Sequence, residues 1–550
     1  MPHNSTNPRA IIDQAVIGNW DIPEFQRGFV WSPEKVKTLL DSLCRNYPLG
    51  SILCWRASDY DSARTVSSAA GNRLWIVDGQ QRTTALCLIL GRRPFWFPAP
   101  ESWNTYFEKC DIKVDLLSDP DEIQLRLPNP VINLETRWYS VRKLVNLPVT
   151  DIPTRALELL GALGHPLTDM QQLSRIIAII NLLHAALLRE LVMIEIDHDP
   201  VDVAEIFSRL NSAGTRVNEG DIALALIAVR QEGWVRTELL PYLEDLKEKG
   251  FEFDPSFIIR SMVVIRQGRS RLRDVPRDFW EASQAFSEGW GRTTAAVNNV
   301  VRMLRELGVL SSGLLPALNA LIPMFALDDL YIHGEAAGNR RAFVWLLQAL
   351  RDGRYSTSAI TTLAQDITAI RSAGSAEAAL NALQGRLTAR LEFDSSDMLR
   401  RYDESAFLRL MLYLVAFERM ATDWQTGQRL GFDRSDNRLN DGFRPEWHHF
   451  VPRGRLRRRT PNPPPEESIN ALANIVVLGE GDNRRFSYSE PHVYLARYNV
   501  PDDRVREQLF PDRSLWCSDR FEELVQERSV LLADAMNDYI RRLGRGELQV

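Results

Sequence analysis

The sequence predicts an α+β protein of several domains. Three observations carry this. The chain is 550 residues long, enough for about three or four domains of ordinary size. Its first part mixes short apolar, strand-like runs with helical segments, while a long middle carries helical apolar spacing almost throughout. The last part turns to loops, prolines, histidines and arginines before a closing helix. These shifts place domain boundaries at 1–230, 231–430 and 431–550.

In the first region, Ile22 to Trp31 reads as an extended segment, Ile22-Pro23-Glu24-Phe25-Gln26-Arg27-Gly28-Phe29-Val30-Trp31. Ser32-Pro33-Glu34 then opens a helix, with Ser32 as N-cap and Pro33 in the first turn. Val36, Leu39, Leu40 and Leu43 supply its buried face at i, i+3, i+4, i+7 spacing, and Pro48 and Gly50 end it. Ser51 to Trp55, Leu74 to Asp78 and Leu191 to Ile196 read as strands. Asp202 to Leu210 reads as a helix, Asn211-Ser212-Ala213-Gly214 as a turn, and Asn218 as the cap of a helix from Glu219 to Arg230.

The densest chemistry of this region is Asp78-Gly79-Gln80-Gln81-Arg82-Thr83-Thr84, between the strand Trp75-Ile76-Val77 and the helical run Ala85 to Leu90. A helix start offers unpaired backbone N–H groups and partial positive charge, which suit phosphate. Gly79 permits close backbone approach. Arg82 can fork onto a phosphate, and Asp78 can hold a metal or orient a water. An ordinary polar helix cap is the competing reading, and the unbroken run of polar residues favours a ligand site.

Helical spacing recurs in the middle region at Phe257 to Val264, Ala295 to Leu307, Leu314 to Leu327, Arg341 to Leu350, Ile360 to Ile370 and Phe407 to Met420. No polar cluster there looks catalytic, so it reads as a helical scaffold.

The C-terminal region holds the second constellation. Trp447-His448-His449-Phe450-Val451-Pro452 places two of the chain's eight histidines side by side. Ile469-Asn470-Ala471-Leu472-Ala473-Asn474 then leads into the apolar strand Ile475 to Leu478, and Gly481-Asp482-Asn483-Arg484-Arg485 follows. On a strand, adjacent side chains face opposite ways. With a local bend, one imidazole could bind a divalent cation while the other takes a proton from water. Arg453, Arg455, Arg457, Arg458 and Arg459 crowd the loop beyond. They suit a nucleic-acid backbone, or form a solvated loop of charge. A helix from Phe521 to Leu543 closes the chain.

Composition bounds the rest. Sixty-six basic against 72 acidic side chains give a net charge of −6, so nucleic-acid contact requires a local basic patch. Five scattered cysteines without a CxxC argue against a disulfide framework and a cysteine zinc site. A reducing, cytoplasmic setting is expected. The N-terminus has no signal-peptide pattern, and the apolar run Ile176 to Leu188 is broken by Asn181 and His184, so no membrane association is expected.

Together these motifs resemble a known family. Ile22-Pro23-x-x-Gln26-Arg27-x-x-x-Trp31, Val77-Asp78-Gly79-Gln80-Gln81-Arg82 and Ile206-Phe207-x-Arg209-Leu210-Asn211-Ser212-x-Gly214 are similar to the N-terminal domain of GmrSD-type, modification-dependent restriction enzymes, which has a ParB/sulfiredoxin-like α/β fold. The histidine–asparagine pattern resembles the ββα-metal HNH nuclease domain often fused to it, as in GmrSD and SspE-type defence proteins.

The resemblance implies nucleotide binding and hydrolysis by the first domain, through Gln26, Arg27, Asp78, Gly79, Gln80, Gln81, Arg82 and Asn211, with Asp78 and Arg82 required for turnover. The triphosphate's identity is not specified. It also implies metal-dependent phosphodiester cleavage by the last domain, set within a helical region. There His449 is the general base, His448 a metal ligand, and Asn474 and Asn483 are metal-shell or positioning residues. Relatives commonly carry an acidic residue where this chain has His448, which bears on metal choice: Mg²⁺ first, with Mn²⁺ or Zn²⁺ as alternatives. Glu446 lies nearby to compensate.

The expected function is an antiphage DNA endonuclease or nickase licensed by a nucleotide, sensing phage or modified DNA. Its expected partners are DNA, a nucleotide, and either further copies of the chain or other defence proteins. Two alternatives stay open. One is a nucleotide-gated DNA-binding or adaptor protein with an inactive finger. The other is an RNA-cleaving toxin, since no base-reading motif selects DNA.

Overall fold

The computed structural model describes residues 3–22, 28–56, 74–97, 100–198, 234–272, 283–356, 359–424, 426–479 and 489–548, with isolated residues between 202 and 231 and between 275 and 279. They divide into two compact units, Met1–Val235 and Arg236–Val550.

Among its described residues the first unit has eight strands, β1 (His3–Thr6), β2 (Trp20–Asp21), β3 (Ile52–Arg56), β4 (Leu74–Asp78), β5 (Lys113–Asp115), β6 (Leu125–Arg126), β7 (Trp138–Ser140) and β8 (Leu191–Ile196). Five of them form a mixed sheet in the order β1-β8-β3-β4-β2. β8 pairs parallel to β3, β4 parallel to β2, and the β1–β8 and β3–β4 pairs are antiparallel. The sheet is buried on both faces. Ile52, Cys54, Leu74 and Ile76 point to one side with Ile11 of the first helix, and Leu53, Trp55, Trp75 and Val77 to the other with Val203. Two buried faces explain why β3 and β4 read as unbroken apolar runs and not as alternating ones. β5, β6 and β7 form a small antiparallel sheet in the order β6-β5-β7.

Among the described residues, the helices beside these strands include α1 (Pro8–Ile17), α2 (Pro33–Cys44), α3 (Gln80–Leu90), α4 (Pro100–Lys109), α5 (Val141–Val145), α6 (Ile152–Ala162) and α7 (Met170–Leu187). α2 follows the expected pattern. Ser32 Oγ accepts from Lys35 N at 3.4 Å, and Val36, Leu39, Leu40 and Leu43 are buried. α3 is buried nearly all round, from Thr83 through Leu90, as a helix central to a core must be. It packs with α1, α2 and α5, so the Asp78–Arg82 turn is anchored on both sides, by a buried strand and a buried helix. All five cysteines are free. Burial raises the thiol pKa of Cys44 and Cys54 to about 12 and of Cys110 to about 11.

The second unit is mainly helical, and the histidine segment shares its core. Helices cover Pro255–Gln267, Ser283–Glu306, Ala336–Arg351, Ala359–Ser372 and Ala406–Glu418, close to the expected segments. The stretch expected as one helix from Leu314 to Leu327 is instead two 3-10 turns, Ser312–Leu314 and Leu318–Ala320, leading into Leu321–Leu327. Pro316, within this stretch, cannot donate a helix hydrogen bond. Two strands form an antiparallel ribbon, β9 (Glu446–His449) and β10 (Ile475–Leu478), pairing His449 with Ile475 and His448 with Val476. The closing helix runs Phe521–Arg545. Among the described residues, no helix is long and apolar enough to cross a membrane.

Candidate functional site

At the end of β4 the chain turns through Gly79, whose φ of +101° strongly favours glycine. A Cβ there would also meet Ile52 at 3.2 Å. Among the described residues, no side-chain hydrogen bond is made at the N-cap of α3, Gly79, and a helix start carries the partial positive charge that favours an anion. Gln80 is buried. Gln81 is engaged at both ends of its amide: Nε2 donates to the Gly28 carbonyl and Oε1 accepts from Val30 N, each at 3.0 Å. It therefore holds the backbone just after the Gln26-Arg27 motif against the helix start. Arg82, expected as a phosphate fork, is already forked. Nη2 donates to Asp78 Oδ2 at 2.8 Å and Nη1 to the Leu49 carbonyl at 2.5 Å. A phosphate would have to share this guanidinium with Asp78. Gly50 has a φ of +79°, and a Cβ there would sit 2.8 Å from Arg82 Nη1, so a side chain would crowd the same fork. Gln26, Arg27 and Asn211 lie outside the described residues, as does most of the third motif.

In the second unit, β9 presents His448 and His449 to different surroundings. His448 is buried, with its ring edge-on to Tyr494 at 6.2 Å. His449 is half-buried, edge-on to Tyr402 at 5.4 Å, and its Nε2 lies 3.0 Å from Asn470 Oδ1. Burial pushes the His449 pKa down to about 4. Asn470 and Asp403 oppose the fall, while Arg453 and His448 add to it. The imidazole is thus neutral near pH 7, the form a general base requires.

Asn474, expected as a metal-shell or positioning residue, spends its side-chain amide on backbone groups. The side chain is fully buried. Oδ1 accepts from Val451 N at 3.0 Å, and Nδ2 donates to the carbonyls of Val451 and Ile469 at 3.2 and 2.9 Å. One amide thus clamps the chain two residues beyond His449 to the turn that leads into β10.

Arg528 on the closing helix works from behind. Fully buried, it donates through Nη1 to the carbonyls of Ala473 and Ile475, on either side of Asn474, and through Nη2 to that of Gln508. The Gln508 amide bonds both the N–H and the C=O of Val477. The free edge of β10 is therefore satisfied by side chains in place of a third strand. Asn470, Gln508 and Arg528 were not singled out from the sequence. Asn470 carries the one available signal, an amide four residues before Asn474.

Four of the five clustered arginines face carboxylates. Arg457 forks onto Glu466 at 2.6 and 2.9 Å, with Arg453 at 3.9 Å from the same carboxylate. Arg455 binds Glu490 at 2.6 Å, and Arg459 binds Glu522. Arg458 is exposed and makes no ion pair among the described residues. Arg455, Arg458 and Arg459 line a cleft of about 280 Å³ with Thr460 and Ser518. Asn483 lies outside the described residues. Among the described ones, no group of three or more His, Cys, Asp or Glu side chains could hold a metal ion, so of the expected ligand set only His448 and the inward-clamped Asn474 can be placed.

Residues 9–228 match the family model of the GmrSD restriction endonuclease N-terminal domain. This GmrSD-type domain spans the Asp78–Arg82 turn, the Gln26-Arg27 segment and Asn211, so the three motifs that carried the resemblance lie inside one recognised domain. The match ends before the helical region and does not reach His449. A longer, more distant likeness covers both units. Over 539 residues the chain is 18% identical to an uncharacterized protein of Methanocaldococcus jannaschii, covering 90% of this chain and 87% of that one.

Proposed function

We propose that the chain is a restriction-type DNA endonuclease or nickase of antiphage defence. In this reading a nucleoside triphosphate, bound and hydrolysed at the Asp78–Arg82 turn, regulates phosphodiester cleavage centred on His449 in an HNH-type finger. The observation that carries it is the match of residues 9–228 to a restriction endonuclease domain. The neutral His449 imidazole on a ribbon clamped by Asn474 supports the cleavage half. In the first unit the start of α3 and the Arg82 guanidinium receive phosphate oxygens, while Asp78 restrains the fork. In the second, His449 removes a proton from the attacking water, and Arg458 with its ion-paired neighbours contacts the nucleic-acid backbone. A divalent cation, Mg²⁺ before Mn²⁺ or Zn²⁺, would supply stabilisation of the charge that grows on the phosphate and the leaving oxygen.

The test is plasmid nicking with each of these cations, with and without nucleotide, on modified and unmodified DNA. His449→Ala is expected to abolish nicking while nucleotide hydrolysis survives. Nicking equal to wild type in that variant would remove His449 as the base. Absence of nicking by the wild-type protein under every condition would favour a nucleotide-gated adaptor, and cleavage confined to RNA would favour a toxin.

A further inference from the structure

We infer that Asn470 is a positioning residue for His449, holding the imidazole in the tautomer protonated at Nε2 and leaving Nδ1 to take the proton from water. The inference rests on the reading of His449 as general base and names the atom that does the work.

Hydrogen-bond direction fixes the tautomer. Asn470 is 1% exposed, so its amide must find partners within the protein. Nδ2 lies 2.9 Å from the Glu466 carbonyl and 3.3 Å from Glu466 Oε2. Both are oxygens that only accept. A flipped amide would set oxygen against oxygen at both contacts, so the orientation is fixed with Nδ2 toward Glu466. Oδ1 then faces His449 Nε2 at 3.0 Å. An amide oxygen cannot donate, so Nε2 carries the proton, and in a neutral imidazole Nδ1 is the lone-pair nitrogen.

The backbone of Asn470 is held as firmly as its side chain. Its N–H donates to the Glu466 carbonyl, and its own carbonyl accepts from Tyr402 N at 2.9 Å. Leu472 N donates to the Arg400 carbonyl beside it, also at 2.9 Å. Tyr402, whose amide pins Asn470, also packs its ring edge-on against His449. The base and its orienting amide are therefore braced by the same three-residue segment. The Glu466 carboxylate is neutralised by the Arg457 fork, so the brace does not place a bare anion next to the base.

The experiment uses the full chain with ¹⁵N-labelled histidine. Long-range ¹H–¹⁵N spectra near neutral pH separate the two tautomers, and the His449 signal is identified by its loss in His449→Ala. The wild-type protein is expected to show protonated Nε2 and unprotonated Nδ1. Asn470→Ala is expected to shift the signal toward a tautomer mixture and lower kcat for nicking about 10- to 100-fold with KM for DNA unchanged. Asn470→Asp keeps an acceptor for Nε2–H but sets an anion beside the ring and oxygen against both Glu466 contacts, so it is expected to keep the Nε2–H pattern without recovering the wild-type kcat.

A wild-type Nδ1–H signature overturns the inference, as does an Asn470→Ala protein with wild-type spectrum and kcat. Should Asn470→Ala fail to fold, the wild-type spectrum still decides the tautomer. Failure of the underlying reading looks different: His449→Ala would nick normally whatever tautomer the wild-type imidazole adopts.

Discussion

Arg82 Nη2 lies 2.8 Å from Asp78 Oδ2, one helical turn back, while Nη1 reaches the Leu49 carbonyl. One guanidinium thus ties the end of β4 to the loop before β3. Lysine is a point charge on a flexible stem and cannot hold both acceptors in a planar fork. Arg82→Lys and Arg82→Ala are therefore expected to lose nucleotide binding and turnover together. Asp78→Ala leaves the guanidinium tied to the Leu49 carbonyl through Nη1 and frees Nη2 for phosphate, so it is expected to keep binding while losing turnover. Phosphate release and fluorescent-nucleotide titration read the two separately, and wild-type turnover in both Asp78→Ala and Arg82→Ala would remove the nucleotide site from this turn.

Gln81 yields a second prediction. Its two hydrogen bonds hold Gly28 and Val30 to the start of α3. Gln81→Glu keeps the acceptor for Val30 N but sets a carboxylate against the Gly28 carbonyl. Each lost hydrogen bond is worth about 1 kcal/mol, too little to unfold the domain. Nucleotide affinity is expected to fall while the thermal midpoint barely moves. A glutamate variant that binds nucleotide like wild type would show that the 28–30 segment takes no part in the site.

Asn474 is the third. Aspartate at this position cannot donate to the Val451 and Ile469 carbonyls, and it would be a buried carboxylate without a cation on it. Leaving buried polar groups unpaired costs about 1 to 3 kcal/mol each. Asn474→Asp is expected to lower stability by several such increments and to lose nicking completely. Denaturant unfolding with nicking assays checks this. Retained nicking in a destabilised Asn474→Asp protein would separate the clamp from catalysis.

What the sequence made legible follows the physics of each element. β3, β4 and β8 were readable because both faces of their sheet are buried, so each is mainly apolar, with Arg56 and Asp78 at strand ends and Glu195 inside β8. The α2 face was readable because Ser32 caps it and its spacing is regular. β1 (His-Asn-Ser-Thr) was not, because it is polar and takes its strand conformation from pairing with β8. β5, β6 and β7 are two or three residues long, too short for a period to appear. The same holds for the sites. The Asp78–Arg82 turn and His449 stood out as local motifs. Asn470, Gln508 and Arg528 act through contacts with residues 20 to 55 positions away, which no local pattern records. The clustered arginines showed the opposite failure. Their charge was visible, but not Glu466, Glu490 and Glu522, which fold back onto them.

Arg528 supports a fourth prediction. Three carbonyls around β10 depend on its guanidinium, and its face lies 3.5 Å from the Phe510 ring centroid. Arg528→Lys keeps a buried charge but loses the planar fork. A loss of about 2 to 4 kcal/mol is expected from the unpaired carbonyls and the weaker stacking. Because the affected peptides flank Asn474, nicking is expected to fall at temperatures where the variant is still folded, and nucleotide turnover is expected to persist. Calorimetry with paired activity assays tests this, and equal loss of both activities would mean general unfolding in place of a local effect on the ribbon.

The last prediction concerns pH. The His449 pKa falls from 6.5 to about 4 on folding, chiefly through burial. The unfolded chain therefore binds a proton at this residue at higher pH than the folded one. Stability rises with pH wherever the unfolded state holds more protons, so the His449 contribution is complete above about 6.5 and is lost as pH falls toward 4. For catalysis the sign is the same: the imidazole stays neutral, and able to accept a proton, at pH values where an ordinary histidine is mostly charged. The acid limb of kcat/KM for nicking is expected well below 6.5. Unfolding of His449→Gln is expected to lack the part of the pH dependence between about 4 and 6.5 that wild type shows. An acid limb near 6.5, with matching stability profiles for the two proteins, would mean that the His449 ring is hydrated and that its surroundings do not hold it in the neutral form.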